Sequence, residues 1–371
     1  MTHRTAVIGA GLAGLASARV MRRAGCYVEV FEQSKAIAGW IATTRMGIVP
    51  FDHGAQYLSA RSDKFRTYIK ELEASGYASL WEPNIAFGED GGTKLLNWYV
   101  GLPGMSAVVR PLAESVRIHF ERRVHKIKRE DRSWYIWFDD QTKEGPFSAV
   151  VVAVPAPEAR LMLGHIEELS VPLERVRMAP CWSLMMRFDQ QILPEFDVYS
   201  DMSQAIRWIG RNNGKPGRKG KGENLVIHAS QAWSRETEDV EAEVIAEEMW
   251  SEVCHLLGLS PVQPIQMQAH LWKNGLVDSS LGETHLFSSS EMVGVAGDWC
   301  LGRLAEHAFE SGTQLGKAVI DALKYRRCEP CGSVKSRIAL FEADFSSRSP
   351  HLCVIVGNTV DGCIAGYAAA R

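Results

Sequence analysis

Few openings restrict a fold more than Thr5-Ala6-Val7-Ile8-Gly9-Ala10-Gly11-Leu12-Ala13-Gly14. A β-branched apolar run with almost no polar lead-in reads as a buried parallel strand. Gly9, Gly11 and Gly14 then have the spacing G-x-G-x-x-G. In order, they predict a tight turn, a backbone that lets phosphate approach, and close packing of helix on strand. The helix N-terminus that follows offers free N–H groups and partial positive charge to an anion. Leu12, Leu15, Ala16 and Ala18 recur at helical spacing, and Arg22-Arg23 precede a stop at Gly25. A second strand, residues 27–31, ends at Glu32, placed as the acid that a ribose hydroxyl pair wants. The ligand implied is a dinucleotide with an adenosine half.

At 371 residues the chain has room for two packed domains, or for one domain with a large insertion. Charged residues make up 23% and the formal net charge is −3, so nothing draws the whole molecule toward nucleic acid or an anionic membrane. No apolar run nears the roughly 20 residues that span a bilayer. The first strand starts within a few residues of Met1, which leaves no room for a signal peptide. Eight scattered cysteines form no disulfide framework, as expected in a reducing, cytoplasmic compartment.

Further along, residues 115–140 read as a meander ending in the aromatic strand Ser133–Phe138. Residues 149–154 form a continuous buried strand stopped by Pro155 and Pro157. Residues 292–296 form another short strand, ending Gly297-Asp298-Trp299, and a helix follows over about 304–325. Residues 178–188 and 224–231 read as strands of a second sheet. Residues 236–257 read as an acidic amphipathic helix with Val240, Val244, Val253 and Leu257 on one face. The glycine-rich basic run 210–222 reads as a mobile hairpin loop, with a phosphate patch as its rival. CEPCG at 328–332 lacks a second close cysteine pair, and His351 stands alone, so no metal site is expected.

The return to a strand ending in Gly-Asp, more than 250 residues after the first loop, separates the candidate dinucleotides. A nicotinamide cofactor is bound within one continuous doubly wound domain. An extended FAD needs its adenosine end on the first loop and its pyrophosphate and ribityl chain at the end of a distant strand. There Gly297 permits backbone approach and Asp298 accepts from ribityl hydroxyls. A helix starting near Glu306 points its N-terminus at the electron-rich end of the flavin ring.

The chain resembles the renalase-like branch of the flavin amine oxidase superfamily, most closely its bacterial members. The resemblance rests on VIGAGLAGL at the start, FDHGAQYLSAR at 51–61, WYVGLPGMSAVVRPL at 98–112 and VVVAVPAPEA at 150–159. It continues through MAPCW at 178–182, HASQAWSR at 228–235 and GDWCLGRLAEHAFESG at 297–312. It implies an α/β fold in which an FAD-binding Rossmann-like domain of the glutathione-reductase and amine-oxidase type carries an inserted mixed-sheet α+β substrate domain. The discontinuous FAD domain would comprise residues 1–72, 104–160 and 288–325. The substrate domain would comprise 73–103 and 161–287, and 326–371 form a tail of unassigned role. By position, Gly9, Gly11, Leu12, Ala13, Gly14, Glu32 and Gln33 would hold the adenosine half, with Val124 on adenine. Gly39, Trp40, Gly54, Ala55, Gln56, Gly297, Asp298, Glu306 and Ala308 would complete the cofactor site. Tyr57, Leu58, Ser59, Ala60, Arg61, Trp98, Tyr99, Val100 and Trp182 would border the substrate.

Three departures stand out. Ala38-Gly39-Trp40 replaces the usual G-G-R, with Arg45 the nearest substitute arginine. His307 stands where a glycine is usual. His270-Leu271-Trp272 lacks the usual basic residue between histidine and tryptophan.

The activity implied is oxidation of off-pathway dihydro isomers of NAD(P)H to NAD(P)+, with O2 reduced to H2O2. Aromatisation drives hydride loss, so a flat, water-poor slot matters more than a strong base. Trp98, Trp182, Trp233, Trp272 and Trp299 are candidates to wall it, whereas Trp134 and Trp137 read as core. His307 is the catalytic candidate, hydrogen-bonding the flavin or donating to substrate, and packing at a helix start is its alternative. Two rival functions share the fold. A flavin amine oxidase acts on small amines and commonly has a lysine near the flavin; Lys273 is the only nearby candidate, and its context does not resemble that lysine's. A non-catalytic carrier binds a protein partner without flavin, which the intact Gly9, Gly11, Gly14, Glu32 and Asp298 oppose.

Overall fold

The computed structural model describes residues 3–87, 97–200, 203–218, 220–260, 262–328, 352–359 and 362–369. The CEPCG run beyond its first residue, and His351, lie outside them. The chain forms two compact units, Met1–Ala322 and Leu323–Arg371.

The first unit opens β1 (Arg4–Ile8), α1 (Leu12–Arg23), β2 (Tyr27–Phe31), β3 (Thr43–Met46), β4 (Val49–Asp52), α2 (Asp63–Ala74). It continues β5 (Ala78–Trp81), β6 (Ile85–Phe87), β7 (Trp98–Gly101), α3 (Arg110–Ala113), β8 (Arg117–His119), β9 (Val124–Glu130), β10 (Ser133–Phe138), β11 (Lys143–Phe147), β12 (Ala149–Val152). Next come α4 (Ala156–Leu163), α5 (Glu167–Leu173), β13 (Arg177–Phe188), β14 (Val198–Ser200), β15 (Ile206–Arg211), β16 (Glu223–Ala229), α6 (Gln231–Glu236) and α7 (Ala242–Leu257). Then follow β17 (Gln266–Ser279), β18 (Leu286–Ser288), β19 (Val293–Val295) and α8 (Ala305–Cys328), whose residues from Leu323 onward belong to the second unit. In the second unit β20 (Leu352–Thr359) and β21 (Gly362–Ala369) pair as an antiparallel hairpin.

The Rossmann-like sheet has the order β18-β19-β12-β1-β2-β8 and is parallel except for β18 at its edge. β12 reads Ala-Val-Val-Val and is wholly buried, as expected of a strand covered on both faces. The segment 115–140 is not one meander. β8 joins the edge of this sheet beside β2, while β9, β10 and β11 form a separate three-stranded sheet. Its aromatic strand alternates: Trp134, Ile136 and Phe138 are buried, whereas Trp137 lies near the Lys143 ammonium.

α8 crosses α1 at short range, because a Cβ on Gly312 would lie 1.9 Å from the carbonyl oxygen of Ala13. Beside it, the buried Ser311 hydroxyl accepts from the Gly297 N–H at 3.0 Å. The Ser-Gly pair ending the GDWC…SG motif therefore serves helix packing and strand-end anchoring.

A second six-stranded sheet has the order β17-β13-β16-β15-β14-β6, antiparallel throughout except for the β14–β6 pair. α7 covers one face. Its buried residues are Ile245, Ala246, Met249, Trp250, Val253 and Cys254, while Val240 and Val244 are 36% and 47% exposed. The apolar stripe thus begins one residue later than the sequence pattern suggests, rotated to seat Trp250 against Phe188. The hairpin β3–β4 spans toward this sheet: Met46, Val49 and Phe51 form one cluster with Met185 of β13 and Val226 of β16. Among the described residues no helix is long and apolar enough to cross a membrane.

Candidate functional site

The three glycines of the first turn do different physical work. Gly9 has φ +98°, and a Cβ there would lie 2.4 Å from the Ala153 carbonyl oxygen. A Cβ on Gly14 would lie 2.0 Å from the Gly9 carbonyl oxygen. Both positions are dictated by protein packing. Gly11 has nothing within 4 Å of its hypothetical Cβ, which would project into open space. It is the N-cap of α1 and makes no side-chain cap, so the first N–H groups of the helix stay available to a ligand. Beside the turn, the Glu32 carboxylate accepts from the Ala10 N–H at 2.8 Å and from the Ser34 N–H and hydroxyl at 2.8 and 2.7 Å. These bonds fix the acid before any ribose arrives.

From this turn a cleft of about 1170 Å³ runs across the molecule, larger than the ~300–1,000 Å³ of most small-molecule pockets. Gly9, Gly11, Leu12, Ala13, Glu32, Gln33 and Val124 line it, as do Gly39, Trp40, Gly54, Ala55 and Gln56. Tyr57, Leu58, Ser59, Trp98, Gly297, Asp298 and Ala308 line it too. An open cradle at Gly11, a pre-oriented acid and a cleft of this length fit an extended FAD.

Gly54 meets a steric demand of its own, since its Cβ would fall 2.0 Å from the Trp40 carbonyl oxygen. The Ala55 N–H donates to that same oxygen at 2.8 Å. Trp40 stacks on Trp272 of β17 at 5.2 Å, and the Trp272 indole N–H donates to the His53 carbonyl at 3.0 Å. The tip of Trp40 crowds Gly275, where a Cβ would lie 2.7 Å away. Two of the three departures thus form one packing unit: Trp40 and Trp272 meet face to face, and Gly275 makes room for them. Arg45 is exposed on β3 and does not line the cleft.

At the end of β19, Gly297 has an extended backbone and is confined instead by the Trp299 indole, 2.2 Å from its hypothetical Cβ. The Asp298 carboxylate accepts from the Trp299 N–H at 2.9 Å, and burial pushes its pKa up to about 6.

At the other end of the cleft Tyr57 and Trp98 stack at 3.9 Å with planes 9° apart, and Trp208 closes in at 5.7 and 5.8 Å. Arg207 of β15 and Ser200 of β14 line the cleft from the same strands, and Lys273 lines it from β17 at the opposite edge of the second sheet. Burial holds His53 near pKa 4 and His228 near pKa 3, so both rings are neutral at physiological pH.

Several expected site residues lie elsewhere. Trp182 is 3% exposed, packs in the core beneath the second sheet and donates its indole N–H to the Thr237 carbonyl. Trp233 packs against the same core. Val100 is fully buried, Tyr99 pairs through its backbone with Leu58, and Ala60 and Arg61 do not line the cleft. The Glu306 carboxylate accepts from the backbone N–H groups of Arg61 and Ser62 at 2.6 and 3.3 Å, fixing the approach to α2. His307 is not among the lining residues. Its Nδ1 accepts from the Leu304 N–H at 3.4 Å, at the start of its own helix.

The basic loop is the largest correction. Lys215 and Arg218 are 2% and 5% exposed, and both point at the buried Asp52 carboxylate. Gly217, at φ +75°, makes the turn between them against Leu102. A lone carboxylate in Phe-Asp-His-Gly, without a neighbouring cation in sequence, was the one available sign of this arrangement.

Residues 7–72 match the NAD(P)-binding Rossmann-like domain, and residues 73–315 match the flavin containing amine oxidoreductases. The chain belongs to the flavin-containing amine oxidoreductase family. Its cofactor is FAD. A 43-residue stretch is 56% identical to an Arabidopsis thaliana protein named flavin-containing monooxygenase FMO GS-OX-like 11, covering 11% of this chain and 26% of that relative. Among solved structures, a protein described as a protoporphyrinogen oxidase from Exiguobacterium sp. 255-15 superposes with TM-score 0.70 at 12% identity, covering 86% of this chain and 99% of that one. Cyclohexylamine oxidase from Brevibacterium oxydans IH-35A gives TM-score 0.67 at 11% identity, covering 87% and 100%. A redesigned triple mutant of putrescine oxidase gives 0.68 at 12%, covering 86% and 99%. At these identities the structural likeness establishes the shared fold.

Proposed function

We propose that this family member is a renalase-like oxidase, taking a hydride from an isomeric dihydronicotinamide nucleotide to give NAD(P)+ while O2 becomes H2O2. When bound, FAD would supply the two-electron acceptor chemistry that links hydride removal to O2. In this reading residues 1–72, 104–160 and 288–325 form the cofactor domain, and 73–103 with 161–287 form the substrate domain. Gly11, Leu12, Ala13, Glu32 and Gln33 meet the adenosine half, with Val124 against adenine. Gly39, Trp40, Gly54 to Gln56, Asp298 and Ala308 meet the rest of the cofactor. Tyr57, Leu58, Ser59 and Trp98 border the substrate, and His307 acts only in packing. The setting is cytoplasmic, in keeping with buried free thiols at Cys181, Cys254 and Cys300.

The observation that carries this reading is the Arg207 charge, brought into the cleft by β15 together with Trp208 of the aromatic recess. Arg207 and Lys273 line the cleft, and neither has an ion-pair partner among the described residues. The described carboxylates of the lining, Glu32, Asp139, Glu158 and Asp298, belong to the β2, β9–β10, α4 and β19 ends of the cleft instead. A protonated amine entering the recess meets the like charge of Arg207, whereas a nucleotide pyrophosphate meets a cation there. The Tyr57–Trp98 pair offers a flat, water-poor wall for a planar ring, and the neutral His53 and His228 suit a donor that needs no strong base.

The test is anaerobic reduction of the yellow holoprotein, followed at about 450 nm, the usual region of oxidised-flavin absorbance. Isomeric dihydronicotinamide nucleotides are expected to bleach the flavin rapidly, and cyclohexylamine and putrescine are not. Rapid bleaching by either amine would overturn the assignment and favour the amine oxidase reading.

A further inference from the structure

Asp52, Lys215 and Arg218 form a buried cluster of three charges, with side chains 1%, 0% and 2% exposed. The carboxylate is saturated. One oxygen accepts from the Thr43 hydroxyl and the Met105 N–H, each at 2.8 Å. The other accepts from the Arg218 guanidinium, with Nε at 3.1 Å, and from Lys215 Nζ at 3.3 Å. Arg218 takes the better geometry, and one carboxylate cannot neutralise two cations. Among the described residues the cluster keeps a net charge of +1. The neighbouring described groups do not change that total. Lys215 faces Gln56, the neutral His228 with His53 behind it, and the Trp81 ring at 5.7 Å.

A buried charge without a counter-charge is costly unless something completes it. Beyond Asp52, the polar path from Lys215 among the described residues leads toward the cleft, where Nζ donates to Gln56 Oε1 at 3.0 Å. Gln56 Nε2 spends its two hydrogens on the carbonyls of Asp52 and Gly54, so its amide has a single orientation with the oxygen toward the ammonium. Gln56, Gly54 and His228 all line the cleft.

We propose that Lys215 is a positioning residue whose uncompensated charge, relayed by the locked Gln56 amide, favours the electron-rich reduced cofactor and so raises the reduction potential of bound FAD. The proposal rests on the cleft holding FAD and not on which substrate is oxidised. The ammonium is preorganised and cannot reorient away, unlike solvent. Burial lowers the Lys215 pKa to about 8, so its charge is present at neutral pH and is lost as pH rises through that value.

The test measures the reduction potential of FAD in the holoprotein by dye-coupled equilibrium reduction with dithionite, which needs no substrate. Lys215→Met is expected to lower the potential at pH 7. It should also abolish an inflection near pH 8 in the wild-type dependence of potential on pH. Lys215→Arg keeps a positive charge at the same place that does not titrate in this range. It is expected to hold the wild-type potential at pH 7 and to lose the inflection near pH 8, a pattern that loss of packing at Lys215 does not explain. Should Lys215→Met fail to retain FAD, Lys215→Arg decides alone. A wild-type potential in folded Lys215→Met, or an inflection near pH 8 that persists in Lys215→Arg, overturns the proposal.

Discussion

Gly9 and Gly14 have backbone atoms closer than 3.0 Å to any added Cβ, whereas Gly11 has empty cleft. The same motif therefore contains two folding residues and one binding residue, and two alanine variants separate them. Gly14→Ala drives a methyl into the Gly9 carbonyl and is expected to cost on the order of 3 kcal/mol of stability, read as a lower unfolding midpoint in urea. Gly11→Ala keeps an allowed φ of −74° and should leave the FAD-free protein as stable as wild type. Its FAD affinity should fall by about tenfold or more, equivalent to about 1.4 kcal/mol. A destabilised Gly11→Ala protein would contradict this division. Asp298 offers a second residue-scale test. Its folded pKa of about 6 lies above the ordinary 3.8, so the folded state holds the proton more tightly. The stability from that proton is complete below pH 4 and is lost as pH rises through 6. Asp298→Asn resembles the protonated form. In FAD-free protein it is expected to match wild type near pH 4 and to exceed it by roughly 1–2 kcal/mol at pH 7.5, less than the full shift because cleft solvent reaches the carboxyl. An equal difference at both pH values would rule out burial as the cause.

Elements were legible in the sequence wherever one periodicity or one steric rule dictated them. β1, α1, β2 and β12 follow from apolar runs, helical spacing and proline stops, and β13 and β16 begin and end within two residues of the expected strands. β8 was misread as part of a meander because three alternating residues carry no mark of which sheet they join. Pairing with Glu29, Val30 and Phe31 is a tertiary choice. The segment 210–222 misled more seriously, since glycine and lysine beside a strand ordinarily signal solvent. What composition hides is the demand of Asp52, a buried carboxylate far away in sequence, for the cations that this loop delivers. Trp182 illustrates the converse: a tryptophan in a motif next to the site packs in the core because its strand face points under the sheet. Trp40 and Trp272 read separately as departures, and only their stacking in space shows them to be one feature.

At the scale of the whole first unit, the cleft draws its lining from both large sheets. Gly11, Glu32 and Asp298 come from the ends of β1, β2 and β19, while Arg207, Trp208, His228 and Trp272 come from β15, β16 and β17. The β3–β4 hairpin joins them, with Phe51 in a cluster on the second sheet and Asp52 holding the 211–223 loop. A ligand spanning such a cleft contacts both halves at once, so its binding free energy stabilises them together. Saturating FAD at about one hundred times its dissociation constant contributes about 2.7 kcal/mol, which for a domain of this size corresponds to roughly 5 °C in the unfolding temperature. The expected outcome in calorimetry is one transition for the first unit, moving upward as a whole when FAD is added to the cofactor-free protein. Two transitions, of which only one moves, would mean that FAD engages the Rossmann-like sheet alone and that the second sheet contributes no part of the cofactor site.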